Sequence, residues 1–462
     1  MNAVEVHRPG LAWAVVVGAL ASATALAAPR AALFGAAGLA GLILLATWLL
    51  RRRDRWITVF LVACLCLPPL PFALGNSGPH PGLAIAVIGL IAGAIFINSS
   101  ELRFPRAALA FPLYILALLA SIFFAALYSG PALAAASLAR IALFCISAYV
   151  FFFTLAGSVG TEVRVLRILF WSAVASAAFA CADFYFQFPA PAGFGPQFIW
   201  IGSVIQRRAQ GFFYESSTLG NVCVFFLLLI AVCLARPRSE SPASRPALVG
   251  AGGVFLAALL LSFSRASVIA LGVGLLALAV IQADHRRLIQ ATVYLAVAVV
   301  CAFAVLSWVA PDLVQFLGVR SVASIDLASS GNARVLSGRL ETWRVLTGFL
   351  MDNPQYAIFG VGYKTLPYSD FVGRITVADN AYLSALVETG LIGLTALLLL
   401  HVAILRMAWK ARASLYGTWI FSFWTAEIVQ MLTGDLLTYW RVLPLYFWAL
   451  AVAVRNTQRV PA

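Results

Sequence analysis

Charge is what this chain has least of. Asp, Glu, Lys and Arg make up 10% of its 462 residues, against about 25% in an ordinary soluble domain. Thirty-one basic and 17 acidic side chains cannot give a chain of this length the polar shell that a soluble fold needs. A soluble enzyme, a disordered protein and a fibrous repeat are therefore excluded, and the 63% of hydrophobic residues points to a polytopic membrane protein. Polar-loop cysteine is missing as well. Cys64, Cys66, Cys145, Cys181, Cys223, Cys233 and Cys301 all sit in apolar stretches, which excludes a disulfide framework and a finger-type zinc spacing. Histidine is scarce, with four in the chain and none in its longest polar segment, and no His/Asp/Glu cluster has metal-ligand spacing. Gly-rich phosphate-loop and dinucleotide fingerprints are absent. No metal, nucleotide or other cofactor is expected, and no nucleic-acid partner, since the net charge of +14 is distributed as loop charge.

What is present is a series of long apolar runs. A bilayer core about 30 Å thick needs roughly 20 apolar residues per helix. Such runs fall at 11–28, 31–50, 56–74, 82–98, 107–128, 132–157, 168–187, 218–235, 247–263, 266–282, 289–310, 381–406, 415–433 and 442–455. The stretch 247–282 reads either as two short helices or as one long tilted helix, so the expected number is 12 to 14. His7 and Arg8 precede the first run without a small-residue cleavage site leading to a soluble domain, so that run reads as a retained helix. One set of loops carries nineteen bases against six acids, among them Arg51, Arg52, Arg53, Arg55, Arg236 and Arg412. By the positive-inside rule this set and both termini face the cytoplasm. The opposite side has tight turns and two longer loops. The chain thus divides into N-terminal transmembrane helices (1–187), an outer loop with an arginine motif (188–217), central helices (218–310), a large outer loop (311–379) and C-terminal helices (380–462).

The large loop reads as ordered. Ser337 is placed to cap a helix whose Leu340, Trp343, Leu346 and Leu350 recur at helical spacing, and Asn353-Pro354 ends it. Arginine is dense on this side: Arg207 and Arg208 before a span, Arg265 in Ser-Phe-Ser-Arg-Ala-Ser, and Arg334, Arg339, Arg344 and Arg374 in the large loop. A guanidinium grips phosphate through a two-pronged fork and keeps its charge when partly buried, which suits a lipid diphosphate at a membrane surface. The bland alternative is a set of solvated or snorkelling charges. Asp379 and Asn380 open a long membrane helix. Asp379 reads either as that helix's N-cap or as a general base facing the arginines, with Asn380 able to cap instead. Gly390 and Gly393 suit a close helix approach. Arg140, inside a span, is expected to pair with a carboxylate such as Asp183, Glu427 or Asp435.

Four segments in order, Arg-Ala-Gln-Gly-Phe-Phe-Tyr-Glu-Ser-Ser-Thr-Leu-Gly-Asn (208–221), Leu-Ser-Phe-Ser-Arg-Ala-Ser (261–267), Arg-Leu-Glu-Thr-Trp (339–343) running on to Phe-Gly-Val-Gly-Tyr (359–363), and Asp-Asn-Ala-Tyr-Leu through Glu-Thr-Gly-Leu-Ile-Gly (379–393), together resemble the O-antigen ligase and polysaccharide polymerase family of bacterial inner-membrane glycosyltransferases. The resemblance implies an all-α, GT-C-like membrane fold with one large periplasmic loop. It also implies transfer of a glycan from an undecaprenyl-diphosphate carrier to an acceptor hydroxyl, without metal or nucleotide. On it, Arg207, Arg208, Arg265, Arg339 and Arg344 are the expected diphosphate ligands, Asp379 the base, and Asn380 and Tyr382 the acceptor-orienting residues. The expected partners are the carrier-linked glycan, an acceptor glycan or lipid, membrane lipids and a chain-length regulator. Lipid A core ligases of the family have a histidine before the Asn of the last segment, where this chain has Asp379, and that departure favours polymerase over ligase. A transporter or flippase is the non-enzymatic alternative; a discontinuous helix or two symmetric halves would support it, and neither is legible in the sequence.

Overall fold

The computed structural model describes residues 32–70, 79–96, 104–157, 160–191, 193–201, 204–236, 241–281 and 339–458, with residues 304 and 307. The expected spans at 11–28 and 289–310, the Ser337 cap and Arg334 lie outside the described residues.

The described chain is an all-α bundle with one small hairpin. Its helices are α1 (Ala32–Leu49), α2 (Arg53–Cys66), α3 (Pro81–Phe96), α4 (Ala110–Ser129), α5 (Pro131–Leu155) and α6 (Glu162–Phe186). There follow α7 (Ser216–Ala235), α8 (Arg245–Leu261), α9 (Arg265–Ile281), α10 (Arg339–Asp352) and the single turn α11 (Tyr356–Phe359). The last three are α12 (Ala381–Lys410), α13 (Leu415–Gln430) and α14 (Leu443–Thr457). Among the described residues, five helices are long and apolar enough to cross a membrane: 106–129, 131–155, 162–186, 216–235 and 381–410. Shorter apolar helices accompany them. The chain is an all-α polytopic membrane protein.

Hydrophobic residues all round a helix require burial all round. That is the case for α7, every residue of which from Thr218 to Ala235 is buried, and for α14, buried from Leu443 to Arg455. α8, α9 and α13 pack on α7, and α5 and α13 on α14. Outward-facing Leu116, Phe123, Leu127, Ile269, Leu276 and Val402 are exposed, as a lipid-facing surface requires. Polar side chains inside this frame meet one another: Asn221 donates to Glu427, Tyr446 donates to Asn221, and Gln430 donates to Ser267 at 3.2 Å. An unpaired buried polar group would cost about 1–3 kcal/mol, so the network has to be closed.

Two sequence expectations change, one open alternative is settled and one loop gains a hairpin. The run 56–74 stops as a helix at Cys66, because Pro68 and Pro69 supply no N–H and bar the helical conformation before them. The stretch 247–282 is two helices, separated at Ser262–Ser264, where Phe263 takes φ +51°. The outer loop 188–217 is not wholly irregular: strands β1 (Phe198–Ile201) and β2 (Val204–Arg207) pair antiparallel, Phe198 opposite Arg207. A discontinuous helix is present after all. α12 breaks at Gly390 (φ +67°), and the carbonyls freed there, of Val387 and Glu388, accept from Val361 N–H at 3.0 Å and Gly362 N–H at 2.8 Å. A Cβ on Gly390 would lie 2.2 Å from the Ile358 oxygen, so both the turn and the close approach require glycine there. The break is plugged by protein backbone. The absence of a discontinuous helix is therefore no longer an argument against a transporter.

Arg140 has no carboxylate partner among its described contacts. It donates to the Lys364 carbonyl at 3.2 Å and lies over the Tyr368 ring at 4.7 Å. The carboxylates expected for it are taken elsewhere: Asp183 by Arg207 at 3.2 Å, Asp435 by Lys364, and Glu427 by Asn221.

Candidate functional site

One end of the bundle gathers the C-terminal ends of α4, α6, α8 and α13 with the N-terminal ends of α5, α7, α9, α12 and α14. Arg236 and the Arg412 carbonyl meet at the other end, as do Arg455 and Glu162.

Between β2 and α7 the segment 208–215 is fixed residue by residue. Arg208 N–H donates to the Gln197 carbonyl at 2.8 Å, continuing the hairpin ladder, and Ala209 N–H donates to Leu261 at 2.9 Å. The buried Gln210 amide donates to Gly195 and Tyr214 carbonyls at 3.1 and 2.7 Å, while the Gln197 side chain accepts from Ser216. Gly211, at φ +54°, lies so close to Ala180 that a Cβ would meet the alanine methyl at 2.7 Å. The result holds two successive arginines in opposite senses, as strand alternation dictates. Arg207 turns to Asp183 at the end of α6, with a nearly buried side chain. Arg208 turns the other way, and its Nε donates to the Ser262 carbonyl at 2.8 Å.

Ser262 belongs to the α8–α9 break, which a serine knot shapes: the Ser264 and Ser267 hydroxyls bond at 2.7 Å, and Ser264 N–H donates to Ser262 Oγ at 3.2 Å. The knot sets Arg265, exposed, as the first residue of α9. From the large loop, α10 begins at Arg339, whose Nε donates to Asp379 Oδ2 at 3.1 Å. Trp343, one turn later, donates to the Ala378 carbonyl at 2.7 Å, which ties α10 to the segment that carries Asp379.

Asn380, not Asp379, is the N-cap of α12: its side chain accepts from Tyr382 N–H at 3.0 Å and Leu383 N–H at 3.1 Å. Such a cap is worth about 1 kcal/mol. The Asp379 carboxylate, on a residue at φ +45°, is thereby left to Arg339 and is half exposed. Tyr382 directs its hydroxyl between helices, donating to the Ile428 carbonyl at 2.8 Å. Arg344 is exposed, five positions beyond Arg339 and so about 140° round the same helix.

The structure therefore brings together Arg208, Arg265, Arg339 and Asp379, and keeps Arg207, Arg344 and the Tyr382 hydroxyl apart from them. Burial pulls Arg208 below the usual arginine range, and its like-charged neighbours Arg339 and Arg265 add to that pull, against Glu215 and Tyr439. Glu215 is the site residue that sequence reasoning missed. It sits where the chain enters α7, and its carboxylate accepts from Thr218 Oγ1 at 2.8 Å and from the Tyr439 hydroxyl. Burial raises its carboxyl above the ordinary range; Arg208 opposes that shift and nearby Asp379 reinforces it. Glu215 lies within the segment 208–221, but nothing in that segment marks it, because its Tyr439 partner lies far along the chain.

A cavity of about 340 Å³ adjoins this cluster at Glu215, and a second of the same volume lies beside the first. The first is lined by Glu215, Thr218, His80, Tyr439, Trp440 and Arg441, among others. The second is lined by Arg140, Tyr363, Lys364, Tyr368, Thr438 and Trp440, among others. Arg208, Arg265, Arg339 and Asp379 do not line either one.

Fold and site thus define a polytopic membrane protein that concentrates arginine and paired carboxylates at one end of an apolar bundle. Residues 250–398 match the family model described as O-antigen ligase, and over that stretch the resemblance to the O-antigen ligase and polymerase family holds. The matched stretch includes Arg265, Arg339 and Asp379 and stops short of Arg208 and Glu215, which precede it. Comparison with curated proteins finds no match.

Proposed function

We propose that this chain transfers a glycan from an undecaprenyl-diphosphate carrier to an acceptor sugar hydroxyl, as a polysaccharide polymerase of the bacterial inner membrane. It acts at the periplasmic face and without a metal, with both termini in the cytoplasm. One observation carries the reading: three arginines from separate segments, Arg208, Arg265 and Arg339, are neighbours, and among them Arg339 meets Asp379 and Arg208 interacts with Glu215. In the reaction the acceptor oxygen attacks the anomeric carbon, the bond from that carbon to the phosphate oxygen breaks, and the lipid diphosphate departs with one further negative charge. Preorganised guanidinium groups stabilise that charge in the transition state better than water does. The acceptor hydroxyl gives up its proton as the new bond forms, and Asp379, released from helix capping by Asn380, is the base that takes it. A single displacement of this kind inverts the anomeric centre.

The family description favours a second reading, a ligase that joins finished glycan to lipid A core or another acceptor. Purified protein in proteoliposomes, mixed with carrier-linked oligosaccharide, tests the first. A ladder of products one repeat apart is expected, and it should vanish for Arg265→Ala at equal protein level. Transfer without a ladder supports the ligase reading, and an undiminished ladder from Arg265→Ala removes the donor site proposed here.

A further inference from the structure

We infer that the cavity at Glu215 and its neighbour form one saccharide-binding subsite, with Trp440 as the platform between them, that holds the acceptor glycan; the acceptor assignment rests on the function proposed above. Leu143, Thr438 and Trp440 line both cavities, so the two spaces are neighbours across one wall. Each is at the small end of the range of about 300–1,000 Å³ typical of ligand pockets, and together they have room for more than one sugar ring.

The lining argues for a hydroxyl-rich ligand, because most donors on its charged side chains are already engaged within the protein. Arg441 donates to three backbone carbonyls, of Phe212, Cys64 and Leu67, at 2.6, 3.1 and 2.8 Å. Lys364 is paired with Asp435, and Arg140 with the Lys364 carbonyl and the Tyr368 ring. His80 uses both ring nitrogens, one on the Leu67 carbonyl at 2.9 Å and one accepting from Gly82 N–H at 3.0 Å. Burial, with Arg441 nearby, pushes that imidazole down to about 4, so it is neutral at physiological pH. The lining does offer aromatic planes, since Tyr439, Phe194 and Phe213 stand on one side of Trp440 and Tyr363 and Tyr368 on the other. The C–H face of a pyranose packs on such planes. Thr218 and Thr438 donate their protons to Glu215 and to the Asp435 carbonyl, which leaves hydroxyl lone pairs to accept from sugar hydroxyls. Glu215 belongs to both regions, lining the first cavity while interacting with Arg208 and Asp379. A glycan seated against Trp440 therefore reaches the reacting centre past Glu215.

The probe is the repeat-unit oligosaccharide released from its lipid carrier by mild acid, titrated into full-length protein in nanodiscs by calorimetry. Wild type, Trp440→Phe and Arg265→Ala should bind it alike. Trp440→Ala, which removes the platform, and Thr438→Trp, which fills the shared wall, should each weaken it by about tenfold or more. Transfer assays on the same samples should show the loss as a raised KM for acceptor with the KM for donor unchanged. Equal binding by wild type, Trp440→Ala and Thr438→Trp overturns the inference, and so does failure of wild type to bind while it still transfers glycan. Protein that binds the oligosaccharide at Trp440 and transfers nothing from the carrier refutes the proposed function and leaves the saccharide site standing.

Discussion

Asp379 and Asn380 compete on paper for one task, and the structure divides two tasks between them. A neutral amide satisfies the N–H groups of Tyr382 and Leu383, so the carboxylate one residue earlier is left to meet Arg339. With Asp379 as base, Asp379→Asn should lower kcat by about 10²–10⁴-fold while carrier-linked substrate still binds, measured as transfer rate in proteoliposomes. Retained activity would transfer that role to another group. Glu215 gives a separate, pH-based test. Its folded carboxyl lies above the ordinary carboxylate range, so the folded state holds the proton more tightly than the unfolded one. Its stabilising contribution is therefore present at acid pH and is lost as pH rises from the ordinary range through the raised folded value. Glu215→Gln removes that dependence. Relative to wild type, the thermal midpoint of the variant in detergent should rise between acid and mildly alkaline pH, and a constant difference would contradict the burial argument. Neither Glu215 nor its Tyr439 partner stands out in the sequence, because their joint meaning depends on a contact across more than two hundred positions.

At the level of elements, the site is built from helix ends and breaks. Arg265 begins a helix because Ser262–Ser264 ends the one before it, and α12 is interrupted at Gly390 so that its carbonyls receive the Gly360–Gly362 segment. Gly390→Ala puts a side chain into a left-handed backbone and against the Ile358 oxygen. The left-handed conformation alone costs about 1–2 kcal/mol, and relieving the clash adds to it. The expected result is a lowered thermal midpoint with reduced transfer, since the plug and the start of α12 shift together. Gly348→Ala, where a Cβ meets nothing within 4 Å, is the matched control and should change little. Most of the described helices, α10 among them, were legible, because apolar runs and a 3.6-residue period survive any tertiary arrangement. The Gly390 break was not, since a glycine in an apolar run reads equally as a close helix contact, and only the approach of the 358–362 segment shows that the helix opens there.

For the whole molecule, two fully buried helices, α7 and α14, form an interior around which the others pack, and the chemistry-bearing residues cap one end of it. Under the proposed function, this arrangement keeps the glycan chemistry at the membrane surface while the lipid carrier stays in the bilayer. Deleting the gene distinguishes the two proposed outcomes: single repeat units accumulating on the carrier fit a polymerase, and long carrier-linked glycan fits a ligase. Analysis of the lipid-linked fraction by mass spectrometry reads the difference directly.

Composition determined the class of protein, because a chain with so few charges cannot be solvated outside a membrane. Three of the four short segments noted in the sequence fall within the stretch that matches the O-antigen ligase model. Tertiary structure alone decided which arginines act together: Arg207 and Arg208 are adjacent in sequence, yet strand alternation sends one to Asp183 and the other toward Arg265 and Arg339. It also decided that Arg140 meets a carbonyl and an aromatic ring. Charge is written in the sequence, but the partner a charge finds depends on which helix ends the fold brings within a few ångströms.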